Sequence, residues 1–262
     1  MRAIPNKGDR WSRDEMIVVL NLYFKLPFGK MDHRTPEVNE LANIMGRTNN
    51  SVAMRLNNFA SCDPMLIERG IKALGDHRKQ CQPYWDEFYN NQEELVFESE
   101  KILAEYQNTD IESKYKEILT NIPDYVKGEI RMRMIKTRVN QNFFRKMVLA
   151  NYDGKCALTG IDVSQLLVAS HIIPWSKNEA ERLNPENGIC LSSLYDQSFD
   201  KGLMSFTNEG KVILSDYLKS NISKKYYARY FANIDGVQLS MPNKYLPNPV
   251  FLEWHRDMVF NK

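Results

Sequence analysis

The sequence predicts an α+β fold, mostly helical, with a helix-turn-helix-like helical domain followed by a domain built on a short β-hairpin and a helix. Three observations predict it. Apolar residues at helical spacing, opened by cap residues, fill the first half of the chain. Short β-type runs bounded by Gly and Asn begin only beyond Arg131. The 262 residues, 43% hydrophobic and 26% charged, suffice for one large core or two ordinary ones. The expected division is a helical domain over 1–90, a helical connector over 91–130 and the hairpin-containing domain with a terminal helix over 131–262.

The first helix is expected in WSRDEMIVVLNLYFKL, with Ser12 as N-cap and Glu15 as its capping-box partner. Ile17, Leu20 and Phe24 share one face. TPEVNELANIMG follows, with Thr35 as N-cap and Pro36 at the first helical position. Ala42, Gly46 and Val52 supply the small residue, the turn glycine and the inward anchor that two tightly crossing helices need. In the next helix Val52, Leu56 and Phe59 face inward. Asn49, Asn50, Ser51, Arg55 and Asn58 are thus expected outward, either as a plain polar surface or as readers of base edges in DNA.

An acidic helix, QEELVFESEKILAEYQ, is expected to break near Asn108. A basic amphipathic helix containing RVNQNFFRKMVLANY comes next. Strand-type runs are expected in KCALTG and QLLVASHI, followed by a hairpin in MSFTNEGKVIL and a last helix in PVFLEWHRDMVF.

Net charge is +2, which by itself points to no polyanion. Locally, Lys127, Arg131, Arg133, Lys136, Arg138, Arg145 and Lys146 face only Glu129, a basic run that suits either solvent or nucleic acid. The four cysteines include no C-x-x-C pair, which favours reduced thiols in a cytoplasmic protein. No apolar run has the length of a membrane span, and MRAIPNKGDRW has no signal-type apolar core.

Four pieces cluster in the second half: CALTG, LLVASHIIPW, NPENGICLSSL and LYDQSFDKG. A strand-borne His, a loop, Asn-Gly, an apolar run and a helix with two carboxylates one turn apart follow in that order. This order resembles the HNH (ββα-metal) nuclease family, in its restriction-endonuclease-like branch, over about Arg138 to Ser215. The resemblance implies that His171 is the general base, that Asn187 braces the loop carrying it, and that Asp196 with Asp200 binds one divalent cation, Mg²⁺ or Mn²⁺. Asp196, nine residues after Asn187, stands where the family name expects His. Tyr195 either packs or touches a phosphate, and Cys156 and Cys190 are expected as buried thiols. Phe199, Leu194 and Leu203 are expected to seat the carboxylate helix.

Arg138, Arg145 and Lys201 are phosphate-contact candidates, with an exposed lysine or a surface ion pair as the plainer alternative. His255 and Arg256, in the last helix, have no assigned place. The implied function is a metal-dependent endonuclease of restriction or phage-defence type acting on double-stranded DNA. Cutting both strands would need a homodimer or sequential nicks. The alternatives are a DNA-binding regulator with an inactive HNH-like domain, and a nuclease for RNA or modified DNA.

Overall fold

The computed structural model describes residues 9–27, 29–70, 77–119, 128–242 and 244–260; Lys127 of the basic run lies outside them. The chain divides into two compact units, 1–143 and 144–262.

The first unit is helical. Around α1 (Arg13–Lys25) lie α2 (Pro36–Met45), α3 (Asn49–Ala60), α5 (Arg78–Phe88) and α6 (Gln92–Tyr106), while α4 (Pro64–Glu68) follows α3. The capping box forms as expected: Ser12 Oγ accepts from Glu15 N and Glu15 Oε2 accepts from Ser12 N at 2.8 Å. Met16 to Leu20 are buried on every side, so α1 is the central helix rather than a one-faced one. Thr35 stands at the N-cap of α2, but its hydroxyl donates to Lys30 O instead of capping. Gly46 ends α2 at φ +69°, a left-handed position where a side chain would be strained.

Thr48 caps α3 by accepting from Ser51 N, and Val52, Leu56 and Phe59 are fully buried. Two residues expected outward are not. Asn58 is 4% exposed and Arg55 7%. Arg55 Nη1 donates to Gln80 Oε1 at 3.0 Å, and its guanidinium stacks 4.8 Å from the Trp11 ring. Arg47 covers the same ring at 4.9 Å while ion-pairing with Glu15 at 2.7 Å. The indole draws both guanidinium groups by cation–π attraction, which offsets the solvation an Arg would find outside. Helix α6 is joined to α1 by a buried Asn21–Ser99 hydrogen bond of 2.7 Å and stops before Asn108, at φ +53°. Two short helices follow, α7 (Ile111–Lys114) and α8 (Lys116–Leu119).

The boundary between the units falls within α9 (Gly128–Asn151). In the second unit β1 (Leu167–His171) pairs antiparallel with β2 (Gly188–Ser192), and α10 (Ser193–Asp200) follows directly. A second hairpin, β3 (Met204–Phe206) with β4 (Val212–Leu214), turns at Asn208-Glu209-Gly210 as the sequence predicts. Short helices α11 (Asp216–Lys219) and α12 (Lys225–Tyr230) precede α13 (Pro249–Met258).

KCALTG is a turn, not a strand. Gly160 N donates to Cys156 O and Cys156 N to Ile161 O, so the backbone closes on itself, and it meets β2 only through Ala157 N at Cys190 O and the Cys156 thiol at Ser192 N. Leu194 is 43% exposed and does not seat α10, whereas Phe199 is fully buried. No helix among the described residues is long and apolar enough to cross a membrane.

His255, unplaced by sequence, fastens α13 to both hairpin and helix. Its ring stacks on Phe199 at 3.7 Å, Nδ1 meets Ser205 Oγ at 2.9 Å and Nε2 meets Phe199 O at 3.1 Å. A carbonyl only accepts, so Nε2 carries the proton and Nδ1 takes the hydroxyl's. Burial pushes the imidazole down to about 4. An unfolded His takes up a proton near 6.5, so stability is full above that value and is lost as pH falls towards 4. Between pH 6.5 and 4 the wild type should lose about 2–3 kcal/mol more than His255→Phe, measured by urea unfolding at each pH. Equal pH slopes in the two proteins would refute this.

Candidate functional site

Close packing at one glycine builds the site. His171 ends β1 and pairs with Gly188. A Cβ on Gly188 would stand 2.4 Å from Val148 Cγ2 and 2.9 Å from Phe144 Cζ, both on α9. The missing side chain lets α9 settle on the hairpin, and the Phe144 ring then stacks on His171 at 3.6 Å and 11°. Trp175 meets the imidazole edge-on at 5.6 Å.

The His171 tautomer is fixed by its loop. Nε2 lies 3.0 Å from Arg182 O, which can only accept, so the proton sits on Nε2 and the lone pair on Nδ1. Burial pushes the His171 pKa below its ordinary value, opposed by the Arg182 carbonyl. The ring is therefore neutral at pH 7. Arg182 is itself held: its guanidinium lies 5.2 Å over the Trp175 ring and Nε donates to Trp175 O at 2.9 Å.

Asn187 joins the two ends of this loop. Its Oδ1 accepts from Ile173 N at 2.8 Å, and Nδ2 donates to Ile173 O at 3.1 Å and Glu181 O at 3.0 Å. Its own carbonyl accepts from Ile172 N. At 1% exposure the amide is spent entirely on backbone next to His171 and next to Arg182.

The carboxylates arrive on α10. Ser193 Oγ donates to Leu166 O and Ser170 Oγ to Asp196 Oδ1 at 2.7 Å, so the helix runs alongside β1 in the same direction. At ~1.5 Å per residue Asp200 lies about 6 Å beyond Asp196, whereas β1 extends only one residue past Ser170. Asp200 therefore stands further along the helix than Asp196, in the direction in which β1 runs from Leu167 to His171. Consecutive strand residues point to opposite faces, so the imidazole and the carboxylates can address a common group only past that end.

Burial raises the pKa of Asp196, against the Ser170 bond, and pushes Asp200 up to about 6, with the Asp196 charge adding to it. These all-oxygen donors fit a hard divalent cation that keeps several waters, which would remove their repulsion. Among the described residues no three or more His, Cys, Asp or Glu gather into a closed metal shell.

Of the other sequence candidates, Asn50 is exposed and Asn49 and Ser51 are half-buried at the start of α3. Arg138 and Lys201 are exposed. Arg145 is neither a surface ion pair nor an open clamp, because Nη1 donates to Leu167 O at 2.7 Å and Nη2 to Ser164 O at 2.9 Å. It anchors the entry to β1. Tyr195 packs, with its hydroxyl donating to Tyr230 O at 2.8 Å. Cys156 and Cys190 are buried thiols, the former accepting from Ser192 N.

Residues 156–207 match the family model described as HNH endonuclease. They form an HNH endonuclease domain. No curated protein matches the chain. The HNH domain is that of a phosphodiester-hydrolysing nuclease, a class that uses a divalent metal ion. It spans β1, β2, α10 and β3, while Phe144, which lies against His171, falls outside it on α9.

Sequence reading missed Ser170, Phe144 and Arg182. Ser170 had a signal, as the one hydroxyl inside an apolar strand, where a buried polar group needs a partner. Arg182 acts through its carbonyl, which residue type cannot announce. Gly188→Ala should destabilise the second unit by about 1–3 kcal/mol, because neither Val148 nor Phe144 can yield without leaving the hairpin. Denaturant unfolding measures this, and a change under 0.5 kcal/mol would overturn the close-packing account.

Proposed function

We propose that the protein is a divalent-metal-dependent DNA endonuclease of restriction or phage-defence type, with the HNH domain cutting and the helical 1–90 region contributing recognition. The observation that carries it is His171: a neutral imidazole with Nε2 held by the Arg182 carbonyl and Nδ1 left as a base, at the end of the strand whose Ser170 bonds the Asp196 carboxylate.

In this reading His171 Nδ1 takes a proton from a water attacking the scissile phosphate, and Nε2–H–Arg182 holds the ring while positive charge develops. Asn187 keeps the Arg182 carbonyl in place by tying both ends of the loop. Phe144 fixes the ring plane, so the lone pair has one direction. Asp196 and Asp200 would hold Mg²⁺ or Mn²⁺, and the bound ion would supply Lewis-acid neutralisation of the phosphate and of the leaving oxygen. Ser170 keeps Asp196 turned towards the end of β1.

Recognition falls to Asn49, Asn50 and Ser51 on α3, with Arg138 and Lys201 as phosphate contacts. Arg55 and Arg145 drop out of that role, since their guanidinium groups are already bound inside the protein.

Supercoiled plasmid is the direct test. The wild type should nick it with Mg²⁺ or Mn²⁺, whereas His171→Ala should lose about 10²–10⁴-fold and Asp200→Asn should lose metal-dependent activity. Absence of nicking by the wild type would favour a DNA-binding regulator with an inactive HNH-like domain. Zn²⁺ supporting cleavage as well as Mg²⁺ would refute the hard-ion assignment. A panel of single-stranded, duplex, RNA and modified-cytosine substrates separates the substrate alternatives.

The pH profile tests the base. Because burial lowers the His171 pKa, kcat/KM should be flat from pH 7 to 8 and fall only below 6.5. An acid limb centred above pH 7 would remove His171 from the role.

A further inference from the structure

Beside the HNH domain lies a surface that the proposed cutting chemistry does not use. Residues 216–230, DYLKSNISKKYYARY, carry Lys219, Lys224, Lys225 and Arg229 against a single acid, Asp216. Lys219 pairs with Asp235 at 3.0 Å, but among the described residues Lys224, Lys225 and Arg229 have no ion pair. Three tyrosines stand out beside them, Tyr217 at 69%, Tyr226 at 45% and Tyr230 at 42% exposure.

On α12 the two residue types form parallel ridges. Lys225 and Arg229 are one turn apart, and so are Tyr226 and Tyr230, with Tyr227 alone turned into the core. The Arg229 guanidinium lies 5.5 Å from the Tyr230 ring. Like charges one turn apart cost a helix a few tenths of a kcal/mol, and exposed rings gain nothing from water. Both are relieved by one kind of ligand, a polyanion that presents flat faces between its charges.

Position argues for the same ligand. Tyr195, the residue before Asp196, donates its hydroxyl to Tyr230 O at 2.8 Å and packs edge-on against Phe231. The end of α12 is thus bonded to the helix that carries the carboxylates.

We propose that α12, with Lys224 before it, holds the DNA strand that flanks the cut, its cations on successive phosphates and Tyr226 and Tyr230 against the deoxyribose faces between them. The assignment rests on the nuclease reading for its choice of ligand, but its test does not depend on cleavage. Binding of a labelled DNA duplex is measured by fluorescence anisotropy, without metal, in the His171→Ala background.

Adding Lys224→Glu, Lys225→Glu and Arg229→Glu together should weaken binding about 10–100-fold and lower the salt slope of log K by about 2–3, as expected for three lost phosphate contacts. Tyr226→Ala with Tyr230→Ala should weaken it about tenfold through lost apolar contact, and the corresponding Phe variants should not. Lys30→Glu, in the first unit, is the control for reversing an exposed charge away from this surface, and unchanged thermal midpoints show that the variants fold. Wild-type affinity and salt slope in the triple variant would overturn the proposal, as would an equal loss in Lys30→Glu. A wild type that never cuts, but loses binding with the triple variant, would sink the nuclease reading and keep this surface. A wild type that cuts, with a triple variant that binds and cuts unchanged, would do the reverse.

Discussion

The second unit depends on an empty position. At residue 188 there is no side chain, and into that space go Val148 and Phe144 of α9. The contact serves packing and chemistry at once. The hairpin acquires a floor, and the ring that forms it lies flat beneath the imidazole at the end of β1. Burial, of which that ring forms one side, lowers the His171 pKa, and the bond to the Arg182 carbonyl keeps its proton on the far nitrogen. A gap of about 0.5–1 Å between that ring and the imidazole would forfeit a quarter to a half of their dispersion attraction.

Much of this arrangement could be read from residue order, and the reason is that the ββα segment is local. His171, Asn187, Asp196 and Asp200 lie within thirty residues, joined by one hairpin and one helix start, so spacing alone nearly determines placement. The capping box at Ser12 and the glycine turn at Gly46 were legible for the same reason. What sequence could not supply came from distant partners. Phe144 looked like an ordinary apolar helix position, and His255 had no neighbours until α13 folded onto Phe199. KCALTG had strand-like composition, but its only backbone-to-backbone bond to β2 is that of Ala157. Arg55 followed the outward side of a helical wheel. The wheel has no place for Trp11, which draws the guanidinium inside.

The arginines carry a related lesson about charge. Arg47, Arg145, Arg182 and Arg256 all donate to backbone carbonyls, and Arg55 is buried. A guanidinium suits this work because its forked donors can satisfy two carbonyls that no other side chain would reach together. Counting basic residues along the chain therefore overstates the charge offered to a polyanion in some segments. It understates it in others, because the exposed cations of residues 224–229 sit in a stretch with no recognisable motif.

The His255 fastening sets an order of assembly. The groups it joins are separated by 50 and 56 residues, whereas the candidate site itself is complete in sequence by Asp200. A chain on the ribosome that has reached Asp200 but not Pro249 contains every site residue, and yet lacks the imidazole that stacks on Phe199 and donates to its carbonyl. For an HNH domain this separates having the site residues from having the whole scaffold that carries them. Premature fragments inherit the first without the second.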